Sequence, residues 1–289
     1  MPQVINTNIY SLNAQRNLDN TGLGLQTALQ RLSSGLRINS AKDDAAGLAI
    51  SSRFTSQIRG YNQGVRNSAD AISLAQTAEG SLSEISQNLQ RIRELAVQAA
   101  NATNSSTDRA ALQAEIGQLK AEITRGTFTQ FNGVEVVGGG AGSFYFQVGP
   151  NAASATNAVI VNTTNIRSTT GYLTMIGTVG NGQVYGAGAT IAEMTAMATS
   201  LIGQVDAFLI EVNTQRANLG AIQNRFDSII RNGQNIAEQL SASRSRIEDA
   251  DFAAETARLT KFQILQQAGT TVLSQANSAP QSVLSLLQG

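Results

Sequence analysis

The sequence predicts a mainly α fold: a long antiparallel helical coiled-coil bundle with a small β-hairpin-rich insertion in the middle of the chain. Three observations lead there. Apolar residues recur at alternating spacings of three and four through both outer parts of the 289-residue chain, the period of a helix packed along one seam. Proline occurs only at Pro2, Pro150 and Pro280, so Gln3–Gly149 and Asn151–Ala279 carry no proline break. Between Gly126 and about Thr190 the composition turns to Gly, Thr, Asn and Val.

The first apolar stripe opens with Ile5, Ile9 and Leu12 and continues through Leu25, Leu29, Leu32 and Leu36, a heptad seam. Gly22, Gly24 and Gly35 interrupt it. Gly35–Gly47 reads as a break, with Asn39-Ser40-Ala41-Lys42-Asp43-Asp44 supplying turn and N-cap chemistry. A second helix carries Ala78, Leu82, Ile85, Leu89, Ile92, Ala96 and Ala99. After the polar loop Asn101–Thr107, Thr107 or Asp108 is expected to cap a third helix running through Leu112, Ile116, Leu119 and Ile123. In the middle, Phe144–Val148, Ala158–Val161 and Tyr172–Ile176 read as short strands between Gly and Asn clusters.

The longest helix comes next. Val205, Phe208, Val212, Gln215, Leu219, Ile222, Phe226, Ile229, Gly233, Ile236, Leu240, Ser243 and Ile247 keep the alternation, with only Gln215, Gly233 and Ser243 not apolar. Such a helix is on the order of 80 Å long and cannot bury its stripe alone. The seams before residue 130 supply partners, so the two halves of the chain are expected to pack antiparallel with both termini at one end. The tail repeats the pattern with Phe252, Leu259, Phe262, Leu265 and Val272 and closes on Val283-Leu284-Ser285-Leu286-Leu287. Two weakly charged, apolar terminal segments either pair within one chain or pair with other copies; the pattern leaves both open.

Composition removes whole classes of function. Hydrophobic residues are 42% but aromatics only 5%, without tryptophan, so burial rests on Leu, Ile, Val and Ala. Twenty basic and 20 acidic residues cancel. No basic surplus is present for phosphate contacts, which disfavours nucleic acid, and a neutral subunit repels its own copies weakly. With no cysteine and no histidine, disulfides, thiol nucleophiles, thiolate or imidazole metal sites and the usual general base near neutrality are all absent. The sequence offers no catalytic, cofactor or metal residues. Asp43-Asp44 and Glu248-Asp249-Ala250-Asp251 are the acidic clusters, and they read as helix caps or hinge contacts rather than as a cation site. The N-terminus lacks a charged and then apolar leader, and no apolar run approaches the ~20 residues of a membrane span. Composition alone therefore points to a cytosolic protein with no membrane insertion.

Several segments also carry a family resemblance. Val4-Ile5-Asn6-Thr7-Asn8, Arg31–Gly47 (RLSSGLRINSAKDDAAG), Gln90–Gln98 (QRIRELAVQ), Thr129-Gln130-Phe131-Asn132-Gly133, Leu219–Arg225 (LGAIQNR), Arg246–Phe252 (RIEDADF) and Gln275–Gln281 (QANSAPQ) fall in the order in which they occur in the bacterial flagellins. The chain resembles that family over roughly residues 1–133 and 200–289, in a short form without large outer domains.

The resemblance implies a division into a terminal coiled coil, D0, of residues 1–44 and 250–289, and a helical rod, D1, of residues 45–249 with a variable, outward-facing β-rich segment at about 126–190. It implies a structural subunit, not an enzyme, that polymerises into the flagellar filament for motility. Its partners would be its own copies in a helical homopolymer, the cap and hook-junction proteins, and an export chaperone at the C-terminus. Its place would be extracellular, reached by the flagellar type III pathway without a cleaved signal, which overrides the cytosolic expectation. The self-assembly seam would be Leu25, Leu29, Leu32, Leu36, Leu259, Phe262, Leu265, Leu286 and Leu287. By similarity, host flagellin receptors would contact Gln90, Arg91, Leu95 and Glu115, with Leu95 as an exposed anchor; Leu119 stands where many recognised members carry arginine. Plant-type receptors would read Asp43 and Asp44, with Gly47 leaving room for close approach. The rival functions are a hook–filament junction protein and a surface glycan-binding module using Tyr145, Tyr172 and Tyr185. Deletion of 134–190 is expected to leave polymerisation intact and to abolish a binding module.

Overall fold

The computed structural model describes residues 7–139, 142–152, 156–176 and 183–287, the last with side chains to Ser278. Its helices are α1 (Ile9–Ser34), α2 (Ala45–Ala100), α3 (Ser106–Gly126), α4 (Thr170–Ile176), α5 (Ile191–Glu248) and α6 (Phe252–Leu287). Two antiparallel strand pairs, β1–β2 (Gln130–Phe131 and Val134–Glu135) and β3–β4 (Ser143–Gln147 and Ala158–Asn162), lie between α3 and α4. The mainly α architecture with a small β-rich middle is the one the periodicity predicts. The chain forms two compact units: Met1–Ser56 with Glu238–Gly289, and Gln57–Ala237. Their boundary falls inside α2 and α5, not at the helix breaks that delimit the expected 45–249 segment.

Unit 57–237 is built on α2, α3 and α5. Arg93 meets Asp206 at 2.7 Å and Glu79 meets Gln223 at 2.9 Å, so α2 and α5 run antiparallel; Arg91 meets Glu115 at 2.8 Å and the Ser81 hydroxyl meets the Gly126 carbonyl at 2.7 Å, which do the same for α2 and α3. The predicted seams are the core: Ala78, Leu82, Ile85, Leu89, Ile92, Ala96 and Ala99 of α2 pack with Leu201, Val205, Phe208, Val212 and Leu219 of α5 and Ile116 and Ile123 of α3. One 18-residue window of α5 reaches a mean hydropathy of 1.2, long and apolar enough to cross a membrane, against expectation. Its stripe is buried in the core instead.

The middle of the chain departs most from the sequence reading. Tyr172–Ile176 is not a strand but most of α4, whose Gly171 N–H donates to the Glu211 carboxylate of α5 at 3.3 Å. Nor is the segment only outward-facing. Val136, Val137, Ile166, Tyr172, Met175 and Val184 belong to the main core, while Val159 and Val161 of β4 form a second core with Ala71 and Phe226. Two edge-to-face ring pairs tie this segment to α5, Tyr172–Phe208 and Phe146–Phe226, each with centroids 5.8 Å apart. The described residues of 134–190 thus cover apolar surface of α2 and α5. The hairpin lies directly on α2. Gly60 faces Pro150, Gly64 faces the Val148 backbone carbonyl, and Asn67 donates to the Gln147 carbonyl at 2.7 Å.

Cap positions shift by small amounts. Ser105, not Thr107 or Asp108, caps α3, and Asp108 completes a capping box from the third helical position. The β1–β2 turn is Asn132-Gly133 with φ of 51° and 79°, the left-handed pair a two-residue hairpin requires.

In the other unit, α1 and α6 lie antiparallel. Asn8 caps α1 through the Ser11 N–H and donates to the Ala276 carbonyl at 2.7 Å; farther along, Leu18 meets Gly269, and Phe262 lies over Gly24. Gly24 does not interrupt α1. A Cβ there would stand 2.6 Å from the Phe262 ring, so the glycine is the slot that admits it. Gly35, at φ 73°, ends α1 as a left-handed C-cap. The two breaks are stitched together by the Leu36–Asp249 bridge, by Arg37 N–H to the Glu248 carbonyl at 2.6 Å and by Ala250 N–H to the Gly35 carbonyl at 2.9 Å.

Candidate assembly surface

The two-helix pair of α1 and α6 buries little of its apolar surface. A helix with one neighbour hides one stripe, and both helices carry more than one. Of the expected seam, Leu25, Leu32, Leu36, Leu259 and Phe262 are half-buried, and Leu29 (49%) and Leu265 (43%) remain exposed; the side chains of Leu286 and Leu287, and Ile5, lie outside the described residues. Ile9, Leu12, Leu23, Phe252, Ile264 (62%) and Val272 are exposed beside them. An open groove of about 520 Å³ runs between the two helices, lined by Leu18, Thr21, Phe262, Leu265 and Val272. No charged side chain follows Lys261, and none lies between Asp19 and Arg31. The pair therefore satisfies itself in part and leaves an uncharged apolar face.

Within the acidic clusters, Asp44 and Asp251 are caps. Asp44 Oδ1 accepts the Gly47 N–H at 2.9 Å at the start of α2, and Asp251 Oδ1 accepts the Ala253 and Ala254 N–H groups at the start of α6. Asp43 Oδ2 accepts from the Ser40 hydroxyl and from the Ser40 and Asn39 N–H groups. These bonds, the hydroxyl's first, hold its carboxyl below the usual range.

Two of the expected receptor positions are corrected. Leu95 is 1% exposed and sits in the main core, because α2 touches both α3 and α5 and buries a wider arc than one seam; it is no exposed anchor. Gly47 is buried too. A Cβ there would stand 2.7 Å from Ile38 Cδ1 and 2.5 Å from Asp44 Oδ2, so its smallness serves the chain's own packing. Gln90, Arg91, Glu115, Asp43 and Asp44 are exposed, with Arg91 bridging Glu115 at 2.8 Å and Glu94 at 3.1 Å. The tyrosines proposed for glycan stacking do not gather: Tyr145 is exposed, Tyr185 half-buried, and Tyr172 is a core residue.

The comparison with known proteins decides the family. Residues 5–140 match the bacterial flagellin N-terminal helical region and residues 202–287 the bacterial flagellin C-terminal helical region. Flagellin FlaB2 of Treponema pallidum is 42% identical over 288 residues, covering 99% of this chain and 100% of that one. The chain belongs to the bacterial flagellin family. Two further flagellin relatives are the flagellar filament 33 kDa core protein of Treponema phagedenis, 43% identical over 99% of this chain and 100% of its own, and the flagellin of Xenorhabdus nematophila, 43% identical with both chains fully covered. As a flagellin this chain is short: between the two matched regions the described residues form the β3–β4 hairpin, α4, the first turns of α5 and their connections.

Proposed function

We infer that this flagellin is the structural subunit that polymerises into the bacterial flagellar filament, outside the cell. The observation that carries the reading is the uncharged apolar face of the α1–α6 pair, whose packing on each other leaves Leu29, Leu265, Ile264 and Val272 in water. Burying one such side chain fully contributes roughly 1.5–3 kcal/mol, so copies that cover each other's faces gain what the isolated subunit lacks. Leu25, Leu29, Leu32, Leu36, Leu259, Phe262 and Leu265 form this seam. Family membership supports export through the flagellar type III pathway without a cleaved signal. It also supports a chaperone on the C-terminal segment, and growth between hook-junction proteins and a cap. Host receptors meet the exposed Gln90–Arg91–Glu115 surface and the Asp43–Asp44 turn.

Leu32→Asp places a charge in the half-buried seam. The variant should give no filaments where the parent polymerises, while the thermal transition of unit 57–237 is unchanged. Ordinary filaments from Leu32→Asp count against the seam.

A further inference from the structure

We propose that Arg109 is a register latch, fixing the axial position of α5 against α2 and α3. It lies where α2 stops and α3 and α5 begin, and it is the bulkiest fully buried side chain among the described residues, 0% exposed. Nη2 donates to the Asn101 carbonyl at 3.1 Å and to Thr195 Oγ1 at 3.3 Å; Nη1 donates to the Ile191 carbonyl at 3.2 Å. Among the described residues no carboxylate bonds it, and Nε has no partner.

A buried cation without a counter-charge is a poor way to add stability, since an apolar side chain of similar volume is often at least as stable there. What the guanidinium supplies is direction. Its acceptors come from the loop after α2 and the first turn of α5, and one alignment satisfies them together. Alignment needs such a device here. The neighbouring seam is Ile92, Ala96 and Ala99 on α2 against Ala198, Leu201 and Val205 on α5, three-four spaced and rich in alanine, so sliding by one heptad reproduces most of it. Apolar contact is non-directional and discriminates weakly between such alignments. A slip of one heptad moves α5 by about 10.5 Å and takes Ile191 and Thr195 out of reach. Gln113, one turn along α3, adds a second hold by accepting the Val184 N–H at 2.7 Å. The latch is not a helix cap: α3 has its own Ser105–Asp108 box, and Thr190 and Glu193 bond reciprocally at the start of α5. The two ring pairs bind α5 to the middle segment; the exposed Arg93–Asp206 pair and the Glu79–Gln223 bond also hold α5 to α2 in this register, and Arg109 is the buried hold that reaches α5 from α3.

Disulfide trapping in the full chain tests this without background, because the chain has no cysteine. The Arg93→Cys/Asp206→Cys pair reports the observed register; Arg93→Cys with Thr199→Cys or with Asn213→Cys reports a one-heptad slip either way. With Arg109 present, only the first pair should close. In Arg109→Met a slipped pair should close at least ~10-fold faster than in the parent, with helical circular dichroism retained. Closure of the observed-register pair alone, at the parent's rate, overturns the proposal. If Arg109→Met does not fold, Arg109→Lys, which keeps the charge and loses the fork, is read the same way: a slipped pair supports the latch and its absence overturns it.

Discussion

At the scale of single residues, the sharpest statements concern what stands beside a missing or buried side chain. Gly64 and Gly80 lie on the same helix, yet a Cβ at Gly64 runs into the Val148 carbonyl while one at Gly80 meets nothing within 4 Å. Gly64→Ala should therefore lower stability by about 1–3 kcal/mol, the cost of overpacking against backbone that cannot yield. Gly80→Ala should raise it by about 0.5–1 kcal/mol through helix propensity. Chemical denaturation of the two variants decides it, and effects of the same sign refute the hairpin's seating. Residue-scale legibility was uneven. Asp43 and Asp44 were readable as turn and cap because short polar side chains before an apolar run do little else. Leu95 was misread because a single-seam periodicity does not show that α2 has two partners.

The helix caps give a pH prediction at the same scale. The Ser105 hydroxyl, then its N–H, lowers the Asp108 carboxyl; the Thr190 N–H, then its hydroxyl, lowers that of Glu193; and Asp43 is lowered by Ser40. A carboxyl held below its unfolded value stabilises the fold above that value and loses the contribution as pH falls through the depressed one. Helix content should hold at neutrality and decline below pH ~4. Ser105→Ala should make the decline shallower by returning Asp108 toward its ordinary value; an unchanged acid titration contradicts the cap assignment.

At the scale of elements, α5 and the middle segment belong together. Phe226 is 0% exposed because Phe146, Val159 and Val161 cover it, and Phe208 is closed over by Tyr172. Excising 134–190 should abolish the cooperative unfolding of unit 57–237 and leave dye-binding apolar surface; a cooperative melt near the parent's temperature refutes this. The long helices were legible because thirteen positions of one period on α5 admit no strand reading. The strands β3 and β4 were legible from aromatic and β-branched runs between turn residues. The helix α4 was not, because a five-residue apolar run has no period of its own, and the contact that holds its first turn comes from Glu211, far along the chain.

At the scale of the whole molecule, the account rests on unequal burial. Unit 57–237 closes a core, whereas α1 and α6 leave apolar faces uncovered. Helices with so few buried contacts open easily and gain order when neighbours arrive, so helix content by circular dichroism should rise on assembly; unchanged helicity contradicts that coupling. The net charge of zero keeps copies from repelling one another. The most direct test of the central claim is negative-stain electron microscopy of the purified chain, heated to monomer and cooled in high-sulfate buffer, which strengthens apolar burial. The account predicts long filaments of uniform width; persistent monomers or small closed oligomers contradict it.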